Sequence, residues 1–143
     1  MTLFHNGKVF RVVIQVKPPS GYHVPIVEVE MAGPTLQFQP VIGKVDTGAF
    51  RTMLNAATAR LLGIDDISKN AIHSGVAKSA TGHDIRYYVH PVQVRLSDAT
   101  GQRFGFRLQT AFSNDIRNNL FGVDWLRHLC VAIDSSSVFF LAD

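Results

Sequence analysis

Short runs in which apolar and polar residues alternate constrain this chain more than any other feature, because a period of two fits a half-buried strand and no helix. Val92, Val94 and Leu96 alternate with Gln93 and Arg95, and after Ser97-Asp98-Ala99-Thr100-Gly101 the pattern resumes in Phe104, Phe106 and Leu108, which predicts a hairpin. Earlier, Val27, Val29 and Met31 stand opposite Glu28 and Glu30. Residues 35–46 are expected to carry Leu36 and Phe38 toward the core before they reach Asp46. In residues 9–17, Phe10, Val12, Ile14 and Val16 share one face, and Pro18-Pro19-Ser20-Gly21 ends the run. The fold class expected is mainly β, strongly twisted and barrel-like.

Two short segments read as helix. Residues 55–63 offer Asn55 as an N-cap, Leu61 and Leu62 as apolar anchors, and Gly63 as the residue past the C-terminus. Residues 123–130 place Asp124 near a helix start, with Leu126 and Leu129 three apart and Trp125 as a packing residue. Neither helix is long enough to hold without packing on the sheets. No linker, low-complexity stretch or charge run divides the chain, so a single domain spanning 1–143 is expected.

Composition excludes several classes. Hydrophobic residues are 46% of the 143 and charged ones 17%, which suits a globular domain with a real core. No apolar run approaches the ~20 residues that span a bilayer, and residues 1–10 lack the apolar stretch of a secretory leader, so a cytoplasmic protein with no membrane partner is expected. The single cysteine, Cys130, excludes an internal disulfide and reads as a small buried hydrophobe. The six histidines show no metal-ligand spacing, so no metal and no cofactor are expected. Net charge is +3, but the basic residues are scattered without aromatic platforms beside them, so no nucleic-acid partner is expected.

The candidate site is Lys44-Val45-Asp46-Thr47-Gly48-Ala49, an apolar strand running into Asp-Thr-Gly just before a helix. By its own chemistry this is an ordinary turn, since Asp and Thr bond nearby backbone and Gly tolerates positive φ. Its context adds more. A short helix ending Leu61-Leu62-Gly63-Ile64 follows, then an extended segment containing Gly75 and Gly82, and finally Leu120-Phe121-Gly122-Val123-Asp124-Trp125-Leu126. This order resembles the retropepsin-like aspartic protease family, single-domain relatives of pepsin that include retroviral proteases. The resemblance runs from about residue 24 to the C-terminus, with residues 1–23 as an N-terminal extension or strand.

That resemblance implies an acid-protease-like closed β-barrel or sandwich with one or two short helices. It also implies an endopeptidase in which two aspartates hold and activate a water. Asp46 would be the catalytic carboxylate, Thr47 would orient the pair by bonding across to the partner loop, and Gly48 would allow close backbone approach. Ala49 would contact the peptide substrate, and residues 77–87, with Ala80, Thr81 and Gly82 at the tip, would form a mobile flap over it. Neither Asp98 nor Asp134 stands in an Asp-Thr-Gly or Asp-Ser-Gly, and Asp124 reads as a helix N-cap. A second Asp46 must then come from another copy, making the active unit a homodimer, and the apolar run Val138-Phe139-Phe140-Leu141 is expected to help build its interface. The alternative is a catalytically inactive retropepsin-fold module for dimerisation or peptide binding.

Overall fold

The computed structural model describes residues 3–5, 8–10, 12–16, 25–98, 100–133 and 138–142. The breaker cluster at 18–21 and Asp134 lie outside them. The elements run β1 (Leu3–His5), β2 (Lys8–Phe10), β3 (Val12–Val16), β4 (Ile26–Ala32), β5 (Gln39–Val45), β6 (Met53–Asn55), α1 (Ala56–Leu61), β7 (His73–Lys78), β8 (Asp84–Ser97) and β9 (Arg103–Ser113). Then come β10 (Leu120–Phe121), a 3-10 helix (Val123–Arg127), β11 (Cys130–Ile133) and β12 (Val138–Ala142). The fold is mainly β, as the alternation requires.

The main sheet has the order β4-β5-β10-β6-β9-β8-β7. β4 also pairs with β8, so the ladder returns to the strand it started from. β8 makes this possible by serving two partners along one edge, β7 over its first half and β4 over its second. Ile72 N–H donates to the Val89 carbonyl at 2.9 Å, so odd-numbered residues of β8 turn their backbone groups to that edge. Pro91 falls between Val89, the last residue facing β7, and Gln93, the first facing β4. The donor it lacks would have had no acceptor there, which is where a sheet tolerates proline.

The inward faces of β4 and β8 match the alternation: Val27, Val29, Met31, Val92, Val94 and Leu96 are all buried. The Trp125 ring closes the core, stacked on Phe121 at 4.8 Å and set edge-on to Phe106 at 5.4 Å. The hairpin between β8 and β9 turns on Asp98, whose Oδ1 accepts from Thr100 N–H, Thr100 Oγ1 and Gln102 N–H. The bond from the Thr100 side chain is the main reason its carboxyl sits below the ordinary carboxylate range.

Several expected core residues are elsewhere. Leu36 lies in the loop before β5 with φ +59 and is 66% exposed, and Phe38 lies half-buried beneath the Arg95 guanidinium, 3.9 Å from its carbon. In α1 the Asn55 cap is made, its side chain accepting from Thr58 N–H at 2.8 Å, and Gly63 takes φ +86 just past the end. The buried stripe is Thr58, Ala59 and Leu62, spaced three and four apart, which leaves Leu61 outside it and exposed. The second helix is 3-10 rather than α, and it buries Trp125 while Leu126 faces out. Cys130 is half-buried, not enclosed.

The C-terminal run also differs from expectation. β12 is the middle strand of a three-stranded sheet ordered β11-β12-β3, and Val138, Phe140, Leu141 and Ala142 are buried within the chain. Apart from half-buried Phe139, the apolar run expected to meet a second copy is therefore covered by the chain itself.

Candidate active site

β5 delivers Asp46, and β10 decides where it stops. β10 pairs parallel with the end of β5, Leu120 beside Lys44 and Phe121 beside Val45, and antiparallel with β6 through Met53. It thus lies between the two strands that flank residues 46–52, and that segment must arch out over it. Asp46 N–H donates to the Phe121 carbonyl at 2.9 Å, and Ala49 N–H closes the turn on the Asp46 carbonyl at 3.1 Å.

Inside the turn, Gly48 N–H donates to Asp46 Oδ1 at 2.9 Å. A Cβ at position 48 would stand 3.2 Å from that same oxygen, so the glycine serves close approach. It is not among the glycines at positive φ, which are Gly63, Gly82 and Gly101 among the described residues. Asp46 and Ala49 are half-buried, while Thr47 and Gly48 are exposed. Asp46 and Thr47 line a small apolar hollow with Val45, Phe121, Leu126 and Val131. Among the described residues, no second carboxylate lines it.

The loop is pinned at its far end by residues that sequence reasoning missed. Thr52, fully buried, donates its backbone N–H to Asp124 Oδ2 at 2.9 Å and its hydroxyl to Asp124 Oδ1 at 2.7 Å. The same hydroxyl accepts from Gly122 N–H at 3.1 Å, and Val123 N–H donates to the Ala49 carbonyl at 3.0 Å. Asp124 is therefore not a helix cap. The N-cap of the 3-10 helix is Gly122, which makes no side-chain cap bond. A Cβ on Gly122 would lie 2.6 Å from the Arg51 carbonyl carbon and 2.7 Å from the Ala49 oxygen, so the two segments cross in backbone contact. Buried Asn119 adds a second pin: its side chain accepts from Asn55 N–H and donates to the Ile42 carbonyl, both at 2.9 Å. The only hint of these pins was a polar residue beside each apolar pair, a pattern too common to single out.

β7 and β8 form the hairpin expected over residues 77–87. Its tip is closed by Ser79 N–H to the His83 carbonyl, His83 N–H to Ser79 Oγ and Gly82 N–H to the Ser79 carbonyl, with Lys78 paired to Asp84 below. Ala80, Thr81 and Gly82 are exposed at the tip and do not line the hollow of Asp46 and Thr47. One contact ties the hairpin base to the loop: the Arg51 guanidinium carbon lies 5.6 Å from the Tyr87 ring centroid.

Among solved structures, a retropepsin-like aspartic protease from Rickettsia conorii superposes on this chain with a TM-score of 0.55 over 92% of this chain and 94% of that one, at 16% identity. The chain has a retropepsin-like fold. Two further structures superpose more loosely. The EIAV protease complexed with an inhibitor has a TM-score of 0.45 at 17% identity, covering 76% of this chain and 90% of its own. The retroviral protease-like domain of Ddi1 from Leishmania major has 0.43 at 21%, covering 82% and 95%. No family model matches the sequence, and no curated protein matches it. Asp46 stands just past the end of β5, with the β7–β8 hairpin and the 3-10 helix following in order. Among the described residues, no helix is long and apolar enough to cross a membrane, and no three His, Cys, Asp or Glu side chains are grouped to hold a metal.

Proposed function

We propose that this protein is an aspartic endopeptidase that works as a homodimer, with Asp46 of each copy meeting at the two-fold axis. The observation that carries this reading is the isolation of Asp46: half-buried, held by Gly48 N–H, set on a doubly pinned loop, and, among the described residues, without a second carboxylate in its hollow. A carboxylate fixed so firmly at an open surface, with Thr47 exposed beside it, is half of a symmetric site. The Rickettsia conorii protein of the same fold is an aspartic protease, which accords with this.

The chemistry follows from bringing two such carboxylates together. Two like charges a few ångströms apart do not both stay ionised, so the pair shares one proton and titrates as a unit; aspartic proteases are the standard case. The ionised member takes a proton from a water held between them as that water attacks the scissile carbonyl, and the protonated member donates to the carbonyl oxygen. The proton taken from water then passes to the leaving amine as the C–N bond breaks. Gly48 N–H keeps Asp46 Oδ1 in place, and Thr47 is positioned to bond to the partner loop. Ala49 contacts the bound peptide, and the hairpin tip at Ala80, Thr81 and Gly82 closes over it to exclude water.

Cleavage of a peptide library by wild type beside Asp46→Asn, with sedimentation of both, tests this. Cleavage lost in the variant while both sediment as dimers supports the reading. Equal cleavage by the two, or a monomer that cleaves, overturns it.

A further inference from the structure

The arginines scattered along the sequence do not stay scattered in the fold. A cleft of about 350 Å³ opens beside the Asp46 loop, and Arg51 from the loop, Arg107 from β9 and Arg127 from the 3-10 helix all line it, with His128. Among the described residues, cation–carboxylate pairs form between Lys78 and Asp84 and between Arg95 and Glu30, and none involves these three guanidinium groups. The one carboxylate in the lining, Asp124, has both oxygens engaged by Thr52.

Arg51 is the sharpest case. Its Nη1 is shut off from water and has no hydrogen-bond partner among the described residues, while its guanidinium lies near the Tyr87 ring. An aromatic face attracts the cation but is a poor substitute for an oxygen acceptor. A charged donor out of water and without an acceptor is among the costliest groups to leave unmatched. Nη1 itself is closed off, so it is the part of Arg51 lining the cleft that is open to an incoming anion.

We infer that this cleft is a subsite for an acidic side chain of a bound peptide, a Glu or Asp carboxylate received by the planar fork of Arg51 in the positive field of Arg107 and Arg127. Two observations favour a peptide side chain over a free anion. Val123 lines both this cleft and the hollow of Asp46, so the two are neighbours. Leu108 and Phe50 also line the cleft, giving it an apolar wall that suits the methylene stem of Glu. The inference rests on reading the Asp46 hollow as a peptide site, and it adds what that peptide carries.

The test uses the Asp46→Asn protein, which should bind without turnover, and short peptide pools that differ only in carrying Glu or Gln at one fixed position. Each position is scanned in turn, and binding is read by fluorescence anisotropy at low and high salt. At one position the Glu pool should bind ~10-fold more tightly at low salt, and adding Arg51→Gln should bring the pools within about twofold. Arg107→Gln and Arg127→Gln, both at exposed positions, should each reduce the preference and flatten its salt dependence. Should Arg51→Gln fail to fold, the exposed pair decides. No Glu preference at any position overturns the inference, as does one that survives loss of Arg107 and Arg127 together. Displacement of the Glu pool by inorganic phosphate as readily as by unlabelled Glu peptide would mark an unspecific anion site, and that also overturns it. Because binding is read on an inactive variant, a missing preference says nothing against cleavage by wild type, and missing cleavage leaves a measured preference standing.

Discussion

The Asp124 carboxylate reaches across 72 positions of sequence to take both donors of Thr52, its N–H at 2.9 Å and its hydroxyl at 2.7 Å. The bond fixes the end of the loop whose other end is Asp46, so the residue that sets the loop's shape is not one of the residues that would do chemistry. Asp124→Ala leaves two donors of a buried threonine unmatched and should cost about 2–4 kcal/mol in urea unfolding, while Asp124→Asn, which keeps one acceptor oxygen, should cost about 1 kcal/mol. Turnover should fall as well, because the loop places Asp46. Equal stability of wild type and the alanine variant would show that the loop holds its shape without the clamp.

Two glycines a short distance apart should respond in opposite ways. Gly122→Ala drives a methyl into the Ala49 and Arg51 backbones, at 2.7 and 2.6 Å, and backbone cannot swing aside as a side chain can. It should cost at least about 2 kcal/mol and lower the thermal midpoint. Gly48→Ala meets only Asp46 Oδ1, at 3.2 Å, so it should leave the melting curve almost unmoved and reduce cleavage by displacing the carboxylate. Calorimetry beside a cleavage assay separates the two.

Gly82 holds φ +84 at the hairpin tip with nothing within 4 Å of an added Cβ. Gly82→Val therefore strains the backbone and nothing else, for about 1–2 kcal/mol, and turnover should suffer more than stability if the tip must close on substrate. Hydrogen exchange with and without a transition-state-like peptide inhibitor reads the motion directly. Protection of residues 77–84 should rise on binding, whereas strong and equal protection in both states would make the hairpin a fixed element.

Much of the fold was legible because its determinants are local. Alternation at 27–31 and 92–108, the Asn55 cap, and the glycines at 63 and 82 each depend on neighbours within a few residues, and each is found as expected. Leu36, Leu61 and Leu126 were misassigned because apolar character alone does not say which side of a loop or short helix faces in. The Thr52–Asp124 clamp and the gathering of Arg107 and Arg127 beside Arg51 join the loop to segments more than fifty residues away, and no spacing rule reaches that far. The burial of Val138, Phe140, Leu141 and Ala142 shows the same limit, since their strand is flanked by β3 from the opposite end of the chain.

Acid should loosen the β8–β9 turn first. The carboxyls of Asp98 and Asp66 are held below their ordinary value, chiefly by the side-chain hydroxyls of Thr100 and Ser68. A depressed folded pKa contributes stability that is present above the unfolded value, ~3.9, and is lost as pH falls through the folded one. Protection of the Thr100 and Gln102 amides, which Asp98 Oδ1 holds, should therefore fall below that range when measured against intrinsic exchange at the same pH, and Asp98→Asn should remove that fall. Unchanged protection in acid would assign the turn's order to its backbone bonds.

The most direct test of a shared site is to mix wild type with Asp46→Asn, co-refold them in equal amounts, and measure peptide cleavage at constant total protein. If each active centre needs one Asp46 from each copy, only wild-type pairs cleave, and activity should fall to about a quarter of that of wild type alone. Activity of about half, the value for centres that each belong to one chain, would contradict the account.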